Sequence, residues 1–71
     1  MKNWSNEALA KNIQKNIRAL SVTVTDISLS VMDCDFEESK KMALWLISQS
    51  TGLNQMILEA ERRGTGLTLP P

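Results

Sequence analysis

Asp33-Cys34-Asp35-Phe36-Glu37-Glu38 lies near the middle of a chain of 71 residues and decides how the two halves fold. Asp35 followed three residues later by Glu38 has the spacing of a capping box, which predicts that a helix begins at Phe36. Asp33-Cys34-Asp35 is then a tight turn. We predict one domain with a first helix over about 6–32, a second over about 36–63 and a flexible tail over 64–71.

Apolar residues recur at steps of three and four on both sides of this turn, which is the pattern of two helices that pack along each other. We therefore predict an all-α, antiparallel two-helix hairpin of the coiled-coil type, with these residues as its core. The first series is Ala10, Ile13, Ile17, Leu20, Val24, Ile27, Val31 and Cys34, and the second is Phe36, Ser39, Ala43, Leu46, Ser50, Leu53, Ile57 and Ala60.

Two stretches leave an alternative open. Residues 21–31 are rich in Val, Thr, Ile and Ser, which favour strands over helices. Strand alternation loses its phase at Asp26 while the steps of three and four continue, so we interpret the stretch as helix. The alternative is an intermolecular strand of the kind found in ribbon-helix-helix repressors. Gly52 indicates either a break in the second helix or a close approach of another backbone.

Composition excludes several classes of function. Eight basic and eight acidic residues cancel, so no strong field favours nucleic acid or anionic lipid. With no histidine and Cys34 as the one cysteine, we expect no metal, no cofactor and no enzyme activity. The lone thiol favours a reducing cytoplasm, and no apolar run has the length of a signal peptide or of a membrane span.

The second helix carries more apolar residues than one core can use, and such a surplus indicates burial on more than one side. A chain of this size gains only ~3–5 kcal/mol from a single core, so we expect the surplus to bind a partner. Leu44, Trp45, Met56 and Leu58 are the predicted anchors. The alternative is that Trp45 closes an intramolecular core. The surplus residues are Met42, Leu44, Trp45, Ile47, Met56 and Leu58.

The second half also carries a family resemblance. Leu44-Trp45-Leu46-Ile47-Ser48-Gln49, followed by Met56-Ile57-Leu58, resembles the apolar second helix of the small E-component cochaperones of type III secretion needle subunits. The resemblance implies a hairpin that pairs with a tetratricopeptide-type chaperone and keeps the needle subunit unpolymerised in the bacterial cytoplasm. It adds the embedded Gln49 to the partner-binding residues. The full predicted set is Met42, Leu44, Trp45, Gln49, Met56 and Leu58.

Two functions remain in view. The leading interpretation is a non-catalytic protein-binding module, a cochaperone that shields an apolar helical partner. The alternative is a small homodimeric regulator, in which two hairpins form a four-helix bundle and bind nucleic acid through a basic ridge of Lys11, Lys15 and Arg18. Three basic residues on a neutral chain favour a solvated helix face, and therefore the first interpretation.

Overall fold

The computed structural model describes residues 1–64, which form two α-helices. Helix α1 spans Asn6–Met32 and helix α2 spans Phe36–Arg63, as the capping residues predict. The helices pack along each other as an all-α hairpin with overall extents of 45 × 22 × 15 Å. The predicted fold class is confirmed. The tail predicted over 64–71 lies outside the described residues, apart from Gly64.

Side chains and a glycine close the helix ends. Ser5 Oγ accepts from the Ala8 N–H at 3.1 Å, and the Asp35 carboxylate accepts from the Glu38 N–H at 3.2 Å. Each bond satisfies one of the backbone donors that a helix N-terminus leaves without a partner. Gly64 ends α2 with φ 65°, in the left-handed region that glycine enters without steric cost.

The turn between the helices is a Schellman motif. The Asp35 N–H donates to the Ser30 carbonyl at 2.9 Å, and the Cys34 N–H donates to the Val31 carbonyl at 3.0 Å. Cys34 has φ 58°, a conformation in which glycine is the usual residue. The turn is therefore tight and fixed by backbone hydrogen bonds, although its sequence contains no glycine.

The stretch over residues 21–31 is helical, as we interpreted it, and its hydroxyl groups show how. The hydroxyls of Ser21 and Thr25 donate to the carbonyls four residues before them, each at 3.1 Å. A hydroxyl satisfied in this way does not draw the chain out of the helix toward a turn or a strand. Helix α2 also continues without a break through Gly52.

The faces that meet between the helices differ from the predicted ones. On α1 the series is shifted by one residue at every second position, so that Asn16, Thr23 and Ser30 lie in the interface in place of Ile17, Val24 and Val31. The same shift occurs on α2. The interface residues, buried or half-buried, are Leu9, Ile13, Asn16, Leu20, Thr23, Ile27 and Ser30 of α1 with Ser39, Met42, Leu46, Gln49, Leu53, Met56 and Ala60 of α2.

Half of each predicted core series is accordingly wrong. Ile17, Val24 and Ile57 are 42%, 53% and 48% exposed. The three-residue turn fixes this phase, and two pairs of the polar residues that it brings into the interface hydrogen-bond to each other. The Ser30 and Ser39 hydroxyls are 2.7 Å apart, and Thr23 Oγ1 donates to Gln49 Oε1 at 2.8 Å. The other predicted residues that the structure exposes are Val31, Cys34, Phe36, Ala43 and Ser50.

The apolar core is confined to the open end of the hairpin, opposite the turn. Leu9, Ile13 and Met56 form the buried cluster, with Leu53 and Ala60 packed against it. Arg63 closes this end: its Nη1 donates to Asn6 Oδ1 at 2.8 Å, and its Nη2 donates to the Met1 carbonyl at 3.2 Å. The N-terminal segment is thereby held against the end of α2.

Glu59 holds two arginine side chains at the same end. Arg62 Nη2 and Arg63 Nε donate to Glu59 Oε2 at 2.6 and 2.8 Å. The hydrogen bonds from Arg62 have the largest effect on the pKa of Glu59, followed by the one from Arg63. Together they lower this pKa from 4.5 to about 2, although burial acts to raise it. Because Glu59 orients Arg63, its ionisation is linked to closure of the open end.

The protonation of Glu59 should therefore affect stability. A carboxylate whose pKa is lowered by folding stabilises the folded state above its unfolded pKa, and that stabilisation is lost as the pH falls toward the folded value. At pH about 5 we expect the wild type to have a higher melting temperature than Glu59→Gln. The two melting temperatures should converge as the pH falls to about 2. Asp26→Asn, which changes an exposed carboxylate of α1, is the control. A gap independent of pH would contradict the assignment.

Gly52 offers a second test. A Cβ at this position would lie 3.6 Å from Asn16 Nδ2, an ordinary van der Waals contact. Gly52→Ala should therefore raise the free energy of unfolding by ~0.5–1 kcal/mol, since alanine is the better helix former. Urea unfolding followed by circular dichroism measures the change.

The matched control is Gly64→Ala. Its φ of 65° places alanine in the left-handed region, so this variant should lose stability by ~1 kcal/mol although nothing lies within 4 Å of the added Cβ. A loss of stability in Gly52→Ala would show that the helices approach each other more closely at that position than the structure has them.

Candidate protein-binding surfaces

A groove of about 490 Å³ runs along one broad side of the hairpin, between the two helices. We call it the tryptophan groove, because Trp4 and Trp45 both line it. Both helices and the N-terminal segment contribute to its walls. The lining residues are Met1, Trp4, Asn12, Lys15, Asn16, Ala19, Trp45, Ser48, Gln49, Gly52, Gln55 and Met56.

The groove is open because the residues at its centre are small. Ala19 of α1 and Gly52 of α2 leave space where longer side chains would meet across the helices. Trp45 lies seven residues before Gly52, two helical turns away on the same side of α2. The indole of Trp45 forms an apolar wall of the groove, and the missing side chain of Gly52 leaves space beside it.

The chemistry of the groove combines aromatic rings with amide groups. Trp45 is 58% exposed and Trp4 is 37% exposed. Asn16 Oδ1 is buried and accepts no hydrogen bond within the described part of the chain. An unsatisfied buried acceptor costs about 1–3 kcal/mol, so Asn16 lowers the stability of the hairpin at this position. Lys15 is the one charged residue among the groove's lining residues.

The six residues predicted to bind a partner lie in three different places. Trp45, Gln49 and Met56 line the tryptophan groove, although Met56 is also buried in the core. Leu58 lines a shallower hollow beside it, together with Met1 and Arg62. Met42 is half-buried between the helices, and Leu44 is exposed outside both hollows. The predicted binding residues of α2 thus lie partly between the helices, partly at the tryptophan groove and partly outside it.

A second apolar surface lies on the opposite broad side of the hairpin, and we call it the lateral face. Ile17 and Val24 are separated by seven residues, so they fall in one column along α1. Ile57 is five residues beyond Gly52, which places it roughly 140° around α2 from the groove. The exposed residues of the lateral face are Ile17, Val24 and Val31 of α1 with Phe36, Ala43, Ser50 and Ile57 of α2.

Other residues singled out by the sequence form no further site. In the basic ridge, Lys11 Nζ lies 3.1 Å from Glu7 Oε1, and Lys15 lines the groove. Cys34 is an exposed free cysteine in the turn. Within residues 1–64 no three metal-binding side chains come together, and neither helix is long and apolar enough to cross a membrane.

The sequence analysis did not identify the residues that α1 and the N-terminus bring to the groove. Trp4 and Asn16 stood outside the apolar series, and only their position in the folded hairpin places them beside Trp45. Gly52 did carry a signal, because a close approach was one of its two interpretations. Comparison of the chain with protein-family models, with curated proteins and with solved structures finds no match.

Proposed function

We propose that this chain is a non-catalytic protein-binding module that takes an apolar helical segment of a partner into the tryptophan groove and shields it from other contacts. The exposure of Trp45 at the groove carries the proposal. Tryptophan is strongly enriched among the residues that dominate protein interfaces, since its ring offers a large contact area and a hydrogen-bond donor. The exposure of such a side chain to water is unfavourable, and its burial against a partner would stabilise the complex.

The shape of the groove fits a third helix. Two helices side by side leave a furrow into which the side chains of another helix pack as a ridge. The small residues Ala19 and Gly52 let the partner's backbone approach closely. A partner helix with apolar residues at steps of three and four would place them against Trp45 and Met56.

The polar lining adds selectivity to this contact. Lys15, Ser48 and Gln55 line the groove and are exposed. They can hydrogen-bond to polar residues that flank the apolar stripe of a bound helix, whereas a helix that is apolar on all sides would leave them without partners. The proposed partner is therefore an amphipathic helix.

The resemblance to needle-subunit cochaperones gives the proposal a specific form. The partner would be a tetratricopeptide-type chaperone in the bacterial cytoplasm, and the joint complex would hold a needle subunit unpolymerised. Tetratricopeptide repeats are pairs of helices, which is the class of surface that the groove would accept. The proposal of a helical partner stands without this identification.

Photo-crosslinking in cells tests the location of the surface. A benzophenone amino acid at position 45 or 58 should give a crosslink to one partner protein, and mass spectrometry should map it to an amphipathic helix. The same probe at Thr25, an exposed residue of α1, is the control. Equal yields at positions 25 and 45, or crosslinks from position 45 to the chain itself alone, would contradict the proposal.

Affinity for the purified partner then tests the role of Trp45. Trp45→Ala should weaken binding by ~2 kcal/mol or more, roughly 30-fold in Kd by calorimetry. The melting temperature should change little, because the side chain is largely exposed. Ile47→Ala removes an apolar side chain of similar exposure two residues away, and should leave Kd unchanged. A drop in stability with unchanged affinity would make Trp45 a structural residue.

A further inference from the structure

We infer that the lateral face binds a second copy of this chain, so that two hairpins close into a four-helix bundle about a two-fold axis perpendicular to the helices. The inference is independent of the proposed function, since the lateral face and the tryptophan groove lie on opposite broad sides of the hairpin. Three observations favour a second copy as the partner of the lateral face: its uncovered apolar residues, the size of this side of the hairpin and the distribution of charge along it.

The hairpin leaves its apolar columns uncovered. Among residues 1–64 the buried apolar side chains are Leu9, Ala10, Ile13 and Met56, all near the open end. Toward the turn the apolar interface residues Leu20, Ile27, Met42 and Leu46 are only half-buried. They lie beside the hydrogen-bonded pairs of Thr23 with Gln49 and of Ser30 with Ser39. The branched side chains that would complete a core in this half are present in the lateral face, on the outside of the hairpin.

The broad side that carries the lateral face is large enough for a stable dimer. Its outline measures 45 × 22 Å, or roughly 1,000 Å², which leaves room for the about 800 Å² that a standard protein interface buries on each partner. Two hairpins that stack on this side bring four helices together around one core, which is the architecture of a four-helix bundle. A short peptide or a single helix would cover only part of the face.

Charge on this side of the hairpin is sparse and self-complementary. Along α1 the residues beside Ile17, Val24 and Val31 are Gln14, Ser21 and Ser28, none of them charged, and the same column ends at Glu7 near the open end. On α2 the corresponding column contains Lys40 near the turn and Glu61 near the open end. An apolar strip with one positive and one negative end is the pattern that an antiparallel copy of itself would match.

The two-fold axis fixes which residues meet. Ser50 is at the middle of α2, and a perpendicular axis there sets α2 antiparallel to α2 of the second copy. Ala43 and Ile57 are each seven residues from Ser50, so the small side chain of one copy lies opposite the large side chain of the other. Lys40 and Glu61 lie ten and eleven residues from Ser50, which brings opposite charges together at both ends.

The first measurement is the mass of the purified chain by size exclusion with light scattering over a dilution series. We expect twice the 7.9 kDa of one chain at micromolar concentration, and a melting temperature that rises with protein concentration because association stabilises the folded state. A monomer at about 100 µM with a melting temperature independent of concentration would overturn the inference.

Two valine variants locate the interface. Val24→Glu places a carboxylate in the lateral face and should raise the dimer Kd at least about tenfold, since an unpaired charge would be desolvated there. Val22→Glu makes the same change two residues away, roughly 160° around α1, and should leave Kd unchanged. Both valines are exposed in the single hairpin. Equal effects of the two variants, or no effect of Val24→Glu, would place the dimer contact elsewhere.

A charge exchange tests the antiparallel arrangement without altering the apolar residues. Lys40→Glu or Glu61→Lys alone should weaken the dimer by about three- to tenfold, because like charges then meet at both ends. The double variant should restore the wild-type Kd. Lys41→Glu, which lies on the other side of α2, is the control and should have no effect. A double variant as weak as its weaker single variant would overturn the two-fold geometry.

The same variants separate this inference from the proposed function. Trp45→Ala should leave the dimer mass unchanged, and Val24→Glu should leave crosslinking from position 45 unchanged. Loss of the dimer in Trp45→Ala with no effect of Val24→Glu would assign self-association to the groove and overturn the lateral face as its site.

Discussion

The turn at Asp33–Asp35 sets which side of each helix faces the other, and the rest of the structure depends on that phase. Its Schellman hydrogen bonds leave only three residues between the helices. Ser30 and Ser39 are therefore brought face to face, and their hydroxyls lie 2.7 Å apart. Every later layer follows from this one at helical spacing, which brings Thr23 and Asn16 into the interface.

That phase determines how the hairpin is stabilised. A net hydrogen bond such as that of Thr23 with Gln49 contributes about 0.5–1.5 kcal/mol, whereas a fully buried leucine or isoleucine contributes about 1.5–3 kcal/mol. In the half near the turn such hydrogen bonds accompany apolar side chains that are only half-buried, among them Leu20, Ile27 and Leu46, and these contribute less than fully buried ones. The open end combines the cluster of Leu9, Ile13 and Met56 with the hydrogen bonds of Arg63 to Met1 and Asn6.

The same phase gives the two broad sides of the hairpin different chemistry. One side has the tryptophan groove, with indole rings, amide groups and a buried acceptor without a donor. The other has the lateral face, with branched apolar side chains and few charges. A selective contact with a helical partner suits the first side, and a self-complementary contact with a second copy suits the second. The two proposals can hold together because neither surface covers the other.

Local signals in the sequence were enough to predict the helices. Ser5 and Asp35 begin the two helices and Gly64 ends the second, because a cap depends only on neighbours within one turn. The helical state of residues 21–31 also followed from periodicity, against the preference of the individual residues. The two apolar series were correctly predicted to lie along the helices. Half of the residues in each series, however, lie outside the interface in which we had placed them.

The lining of the tryptophan groove could be predicted only in part for the same reason. Trp45 was recognised as surplus apolar surface, whereas Met42 and Met56 proved to lie between the helices and Trp4 and Asn16 were missed. The sequence by itself determined two capped helices, a tight turn and more apolar residues than one hairpin can bury. Only the tertiary structure decided which columns face each other, because a shift of one residue in helical phase exchanges apolar for polar neighbours. In this chain the three-residue turn fixes the more polar phase. The serine, threonine and glutamine side chains that it brings into the interface hydrogen-bond to each other, which removes the cost of burying them.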